Sequence, residues 1–205
     1  IDAAKKSKFK PRIVVSTDDE EIKNVALEYG AEVPFKRPDD ISEDVPTEDV
    51  ILHALNWLES FESYKPDVVV CLEPPVALRT TNHIDECIDK INTSNQVDSV
   101  VTVTDVGAAR PEWMMRLDND SYINLYADFF KNSGNGLMKF PASQTFEKLY
   151  KISGAVFACR PSILKEHKGM VGPKCKAVEI DPRVSFDLDT LADFEILEHL
   201  IKNSE

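Results

Sequence analysis

Asp187 and Asp189 stand either side of Leu188, just after an apolar run and before a helical pattern. In an extended backbone residues i and i+2 point the same way, so both carboxylates face one side. A magnesium ion working on a nucleotide takes one or two carboxylates and completes its shell with phosphate oxygens and water. Spacing alone leaves a plain acidic turn open as well, since Asp118-Asn119-Asp120 repeats the pattern within turn-forming sequence. Arg37 and Arg79 each sit in a loop just beyond a predicted strand or its proline-rich exit. A guanidinium there can donate in-plane hydrogen bonds to a phosphate or a base edge, or remain a solvated surface group. Thr47 reads first as a helix cap whose hydroxyl could also stand at the rim of a nucleotide pocket. His53, one turn into the same helix, has no paired acid or nucleophile near it in sequence and reads as structural. No Ser/His/Asp or Cys/His arrangement is detectable.

These side chains need elements to hold them. Residues 11–16 (PRIVVS) and 31–35 read as short strands flanking a helix. Thr17/Glu20 and Asp18/Glu21 both fit a capping box at its start, Ile22, Val25, Ala26 and Tyr29 form its apolar face, and Gly30 stops it. A helix from Thr47 carries Val50, Ile51, Ala54, Leu55 and Leu58 at helical spacing. Residues 67–72 (DVVVCL) form the clearest core strand, which ends at Pro74-Pro75. A helix over 82–91 and strands over 97–104 and 152–159 follow, and 178–188 leads to a last helix near Thr190. Alternating strands and helices predict an α/β fold, with flanking helices on a mostly parallel sheet.

Residues 107–150 break that rhythm. They carry Trp113, Met114, Met115, Phe129, Phe130, Met138 and Phe140, with turn signals at 119–120 and 133–136. Such a stretch reads as an inserted dimerisation arm, or as a local hairpin on its own domain; the α/β domain then comprises 1–106 and 151–205. The opening residues 1–7 look like the end of a helix with no strand before it, and no glycine-rich phosphate loop occurs. The sequence reads as N-terminally incomplete.

Composition narrows the class. The 205 residues are 42% hydrophobic and 29% charged, typical of a globular protein. The net charge of −12 repels a nucleic-acid backbone, and it requires local arginine, lysine or a metal ion wherever an anionic substrate binds. No apolar run reaches the ~20 residues that span a bilayer, and no signal-peptide pattern opens the chain, which points to the cytoplasm and to no membrane partner. Cys71, Cys87, Cys159 and Cys175 form no CxxC pair and read as buried thiols in a reducing compartment.

Taken in order, these segments resemble the acylneuraminate cytidylyltransferases, also called CMP-sialic acid synthetases. Residues 15–22 (VSTDDEEI) match the family's VSTDxxEI, and 29–33 match its YGAEV. Arg37-Pro38, Asp44 and residues 47–55 resemble its RP…D…S/T…DVVLHAL stretch, 97–103 its VDSVVSV, and 185–190 (SFDLDT) its S-[VI]-D-I-D-T. The resemblance implies a Rossmann-like nucleotidyltransferase with a protruding dimerisation arm. It implies transfer of CMP from CTP to a nonulosonic, sialic-type acid with release of pyrophosphate, in a homodimer. Asp187 and Asp189 become the expected catalytic magnesium pair. Arg37, Thr47, Glu73 and Arg79 would serve the nucleotide, and Gln144 and Tyr150 the sugar acid. The family's LQPTSPLR reads here as residues 72–79, LEPPVALR, so Glu73 replaces a glutamine that could donate a hydrogen bond and Val76 lacks a hydroxyl. Ser143-Gln144 stands where the family has RQ, and Ser153-Gly154 where it has Asn-Gly. These changes touch the presumed sugar side and admit legionaminic or pseudaminic acid as substrate. A DxD glycosyltransferase and a catalytically inactive nucleotide-binding homologue are the alternative readings.

Overall fold

The computed structural model describes residues 1–126, 144 and 146–202. The chain divides into two compact units, one of Ile1–Val103 with Ile152–Glu205 and one of Thr104–Lys151.

The first unit is built on a sheet ordered β1 (Val69–Cys71), β5 (Tyr150–Cys159), β2 (Ser99–Asp105), β6 (Cys175–Glu179). The sheet is mixed. β1 runs antiparallel to β5, with Val70 opposite Ala158, and β2 runs parallel to β6, with Thr102 opposite Val178. Both faces are covered, as the apolar strand sequences require. Val70 and Ala158 pack into a core with Val156, Val178 and the α4 residues Ile84, Cys87, Ile88 and Ile91, where α4 is Thr81–Asn92. The alternate residues Val69, Cys71, Phe157 and Cys159 face a second cluster with Leu55 of α3 (Thr47–Glu62) and Leu164 of α5 (Pro161–His167). Period-two alternation thus gives each strand two apolar faces, and a helix layer closes each. α1 (Asp2–Lys5) joins the first layer: Ala4 is in that core, and the Thr81 hydroxyl donates to the Ala3 carbonyl at 2.9 Å.

Residues 11–16 and 31–35 form less strand than their sequence predicts. One parallel bridge, Val14 to Glu32, is the whole of their backbone pairing among the described residues, beside which the Arg12 guanidinium donates to both carboxylate oxygens of Glu32 at 2.9 and 2.6 Å. The Glu32 amide donates to Ile13 O and the Val15 amide to Glu32 O, each at 2.8 Å. The next rung would need an amide at residue 34, and Pro34 has none. Helix α2 (Glu20–Glu28) also starts differently. Its cap is Asp19, which accepts from the Ile22 amide at 2.8 Å, while Thr17 and Asp18 lie outside it. The Thr17 hydroxyl instead accepts from the Asp19 amide at 3.1 Å, turning the chain before the helix begins. Of the expected apolar face only Ala26 is buried; Ile22, Val25 and Tyr29 remain exposed. α4 is capped by Thr80 and His83 as a reciprocal box, and α6 spans Leu191–Lys202.

The second unit contains a 3₁₀ turn at Pro111–Trp113 and a hairpin of β3 (Met115–Leu117) and β4 (Ile123–Leu125). The turn is made by Asp118, whose carboxylate accepts from the amides of Asp120 at 3.0 Å and Tyr122 at 2.9 Å. Phe129, Phe130, Met138, Phe140, Ser143 and the turn at 133–136 lie outside the described residues. The Arg110 guanidinium lies 5.0 Å from the Phe146 ring centre and 3.3 Å from Glu112. No described helix is long and apolar enough to cross a membrane.

A buried hydroxyl joins β2 to β5. Thr102 Oγ1 accepts from the Val156 amide at 2.9 Å and from the Ser153 hydroxyl at 2.7 Å, and donates to Val156 O at 3.2 Å. Thr102→Val preserves shape but strands that amide, at a cost of about 1–3 kcal/mol. We expect a lower urea midpoint at unchanged m-value; an unchanged midpoint would show that this hydroxyl carries no stability.

Candidate active site

The sheet delivers its chemistry where β1 gives way to a loop. Pro74 and Pro75 end the ladder, and the Val76 amide returns to Glu73 O at 3.3 Å, tightening the turn. Arg79 then folds back. Its guanidinium donates to Ala155 O at 2.8 Å and to Glu73 O, so one side chain ties the loop to β5. Burial pushes its pKa down, yet a guanidinium stays charged in proteins, so Arg79 serves this corner as a fixed positive charge.

The Glu73 side chain emerges beside Gly154. A Cβ on Gly154 would stand 2.8 Å from Glu73 Oε2 and 3.4 Å from Val76 Cγ2, and Gly154 has φ +69. The positive φ is what calls for glycine here, while a Cβ would only displace the carboxylate end of Glu73 from the place it now occupies. Burial pushes the Glu73 carboxyl up, the charge of Asp187 pushes it further, Arg79 opposes, and Glu48 adds a small upward push. Glu73 and Asp187 are therefore brought within electrostatic reach of each other, with Glu48 of α3 contributing to the same field. Glu48 and Gly154 are site neighbours that strand and helix patterns do not mark, because the contacts that matter join distant segments.

Asp187 and Asp189 lie in irregular chain, and both are exposed while Phe186 and Leu188 are half-buried. That alternation fits two carboxylates on one side. They do not sit at a strand end, however, because β6 stops at Glu179 and a turn over 182–185 intervenes. Asp189 is held by its backbone: its amide donates to Asp193 Oδ2 at 3.2 Å. The same carboxylate oxygen accepts from the Thr190 amide and hydroxyl, each at 2.7 Å, which fixes the entry to α6 and holds the Asp193 carboxyl below its usual range. Asp193 is thus the segment's anchor.

Arg37 is half-buried, and its guanidinium donates to the hydroxyl of Ser16 at 3.3 Å and to the Ser16 carbonyl. Its own amide donates to Thr17 O at 2.9 Å, so Arg37 first braces the end of the 11–16 segment. Thr47 is not the cap of α3. Pro46 holds that position, and Thr47 is the first helical residue, exposed, with no capping bond from a side chain. His53 packs edge-on to Phe35 at 4.8 Å, and its buried Nδ1 has no hydrogen-bond partner. Gln144 and Tyr150 are exposed and belong to the second unit, where Lys148 Nζ lies 4.7 Å from the Tyr150 ring centre. All four cysteines are free; burial pushes the Cys71, Cys87 and Cys159 thiols up to about 12, which leaves them unreactive.

Comparison with known proteins identifies the family. The chain is 29% identical over 202 residues to the post-translational flagellin modification protein B of Campylobacter coli, covering 97% of this chain and 80% of that one. It is 27% identical over 203 residues to the CMP-N,N'-diacetyllegionaminic acid synthase of Legionella pneumophila, covering 98% and 82%. Among solved structures, a CMP:2-keto-3-deoxy-manno-octonic acid synthetase complexed with CTP superimposes with a TM-score of 0.66 at 11% identity, covering 100% of this chain and 86% of that one, which establishes a shared fold. The family described as Cytidylyltransferase matches residues 1–166, reaching from α1 through the Glu73–Arg79 loop and β5 into α5. This chain therefore belongs to the cytidylyltransferase family.

Proposed function

We propose that the protein activates a nonulosonic, sialic-type acid with CTP, giving the CMP-sugar acid and pyrophosphate. The observation that carries this reading is the family match over residues 1–166 together with near-complete alignment to a CMP-legionaminic acid synthase. In the reaction the anomeric hydroxyl oxygen of the sugar acid bonds to the α-phosphorus of CTP. The bond from that phosphorus to the bridging oxygen breaks, pyrophosphate leaves with the electron pair, and the hydroxyl proton passes to solvent. Such a transfer depends chiefly on positioning and on neutralising developing charge.

Asp187 and Asp189 are our choice to hold magnesium, which would supply charge neutralisation on the triphosphate. Their chemistry fits: two exposed carboxylates facing one way suit a hard cation that keeps water and phosphate oxygens as its other ligands. No group of three or more His, Cys, Asp or Glu suited to a metal occurs among the described residues. Arg37 and Thr47 would meet the cytidine, Arg79 would bias the phosphate end with its charge, and Gln144 and Tyr150 would meet the sugar acid. The unit of Thr104–Lys151 would act as a homodimerisation arm. Leu117 and Tyr122 support this, since they are 70% and 71% exposed on a hairpin.

Magnesium-dependent pyrophosphate release from CTP with N-acetylneuraminic, legionaminic and pseudaminic acids tests the reaction. We expect release with one of them, and a loss on the order of a hundredfold or more in Asp187→Ala; silence with every acid would overturn the reading. Sedimentation tests the arm. Leu117→Asp with Tyr122→Asp should convert a dimer to monomers, and an unchanged sedimentation coefficient would remove the hairpin from the interface.

A further inference from the structure

We propose that the Glu73 carboxylate is a specificity determinant, selecting a sugar acid that presents a donor-only group, such as an amino or amidino substituent, to the end of β1. The inference rests on the reaction proposed above and concerns which acid it takes.

The first support is the state of the carboxylate. Arg79, the adjacent cation, spends its described hydrogen bonds on the carbonyls of Glu73 and Ala155, and none reaches the Glu73 side chain. No described residue donates to the Glu73 carboxylate. Its Oε2 occupies the space that Gly154 leaves open, where a Cβ would stand 2.8 Å from it and displace it. The missing side chain at Gly154 therefore gives this acid its place, while its acceptor oxygens are left for something else to use.

The second support is what a carboxylate can accept. It repels phosphate oxygens and the substrate's own carboxylate, and it cannot donate to an amide carbonyl. The groups it favours are cations and N–H or O–H donors. Glu73 is also within electrostatic reach of Asp187, our choice to hold magnesium, which puts it by the reacting end of the proposed ternary complex. At that end the donor-bearing reactant is the sugar acid. A charged hydrogen bond there is strong enough to discriminate, at about tenfold to a hundredfold per contact.

The test compares Glu73→Gln with the native protein on matched sugar acids that differ at one nitrogen, free amine against N-acetyl, at saturating CTP and magnesium. The glutamine is isosteric, so folding is preserved, and it can both donate and accept. We expect the native protein to prefer the amine, and the ratio of kcat/KM for amine over N-acetyl to fall at least about tenfold in Glu73→Gln. Gly154→Ala, which displaces Oε2, should lower the same ratio while Glu73 keeps its charge. An unchanged ratio in Glu73→Gln would overturn the assignment. So would a change confined to the KM for CTP, which would put Glu73 on the cytosine amino group, or to the magnesium requirement, which would make it a cation ligand. Absence of pyrophosphate release from the native protein with every acid would overturn the proposed reaction itself, and this assignment with it.

Discussion

The site depends on one guanidinium. Arg79 reaches from the loop after β1 to the carbonyls of Glu73 and Ala155, joining segments that are 76 residues apart in sequence. A lysine could satisfy one carbonyl, but only a planar fork can hold two in a set relation. The clamp has a chemical consequence beyond rigidity. Because its bonds end on backbone oxygens, Arg79 contributes charge to the site without neutralising the Glu73 carboxylate by direct contact. The acid stays without a described donor, in the space that Gly154 leaves open.

That clamp works because the sheet beneath it is stiff. β5 is covered on both faces, with Val156 and Ala158 in one core and Phe157 and Cys159 in the other. Thr102 binds both the amide and the carbonyl of Val156 just beyond Gly154, so the irregular conformation of Gly154 sits beside a fully satisfied polar contact. The candidate site residues lie on loops: Glu73 after β1, and Asp187 and Asp189 before α6. Loops can carry uncommitted polar groups where strands cannot, provided their ends are fixed. Asp193 and Thr190 fix one end, and Arg79 fixes the other.

The core was readable from sequence for a simple reason. Runs such as DVVVCL and the apolar spacing of α4 report burial directly, since every residue in them answers to its neighbours in the chain. Asp187 and Asp189 were visible as a pair for the same reason. What failed was the fine placement of ends. Thr17, Asp18 and Asp19 all suit a cap, and the choice of Asp19 follows from the turn that Thr17 makes. Thr47 looked like a cap, but Pro46 before it occupies that position. The 11–16 and 31–35 runs have the composition of strands, but pattern along one run does not show that Pro34 falls where a parallel ladder needs an amide. The pairing of Glu73 with Gly154 was not legible at all. It joins residues 81 positions apart through a contact that only the folded backbone creates.

Electrostatics tie these features together. The chain carries a net charge of −12, and Asp187 and Glu48 both act on the Glu73 carboxyl at the end of β1. Two anionic substrates entering such a corner would be repelled by its acids, and a single clamped arginine cannot offset the whole field. On the proposed reading, a divalent cation bound to the triphosphate would change the sign of that problem, since Asp187 and Asp189 would hold it and so favour the nucleotide where they would otherwise oppose it. Glu73, in the space that Gly154 leaves, would then be free to discriminate among sugar acids as proposed. The excess of acid would act as a filter: CTP without its cation would be disfavoured, and so would an acid whose outer groups are all acceptors.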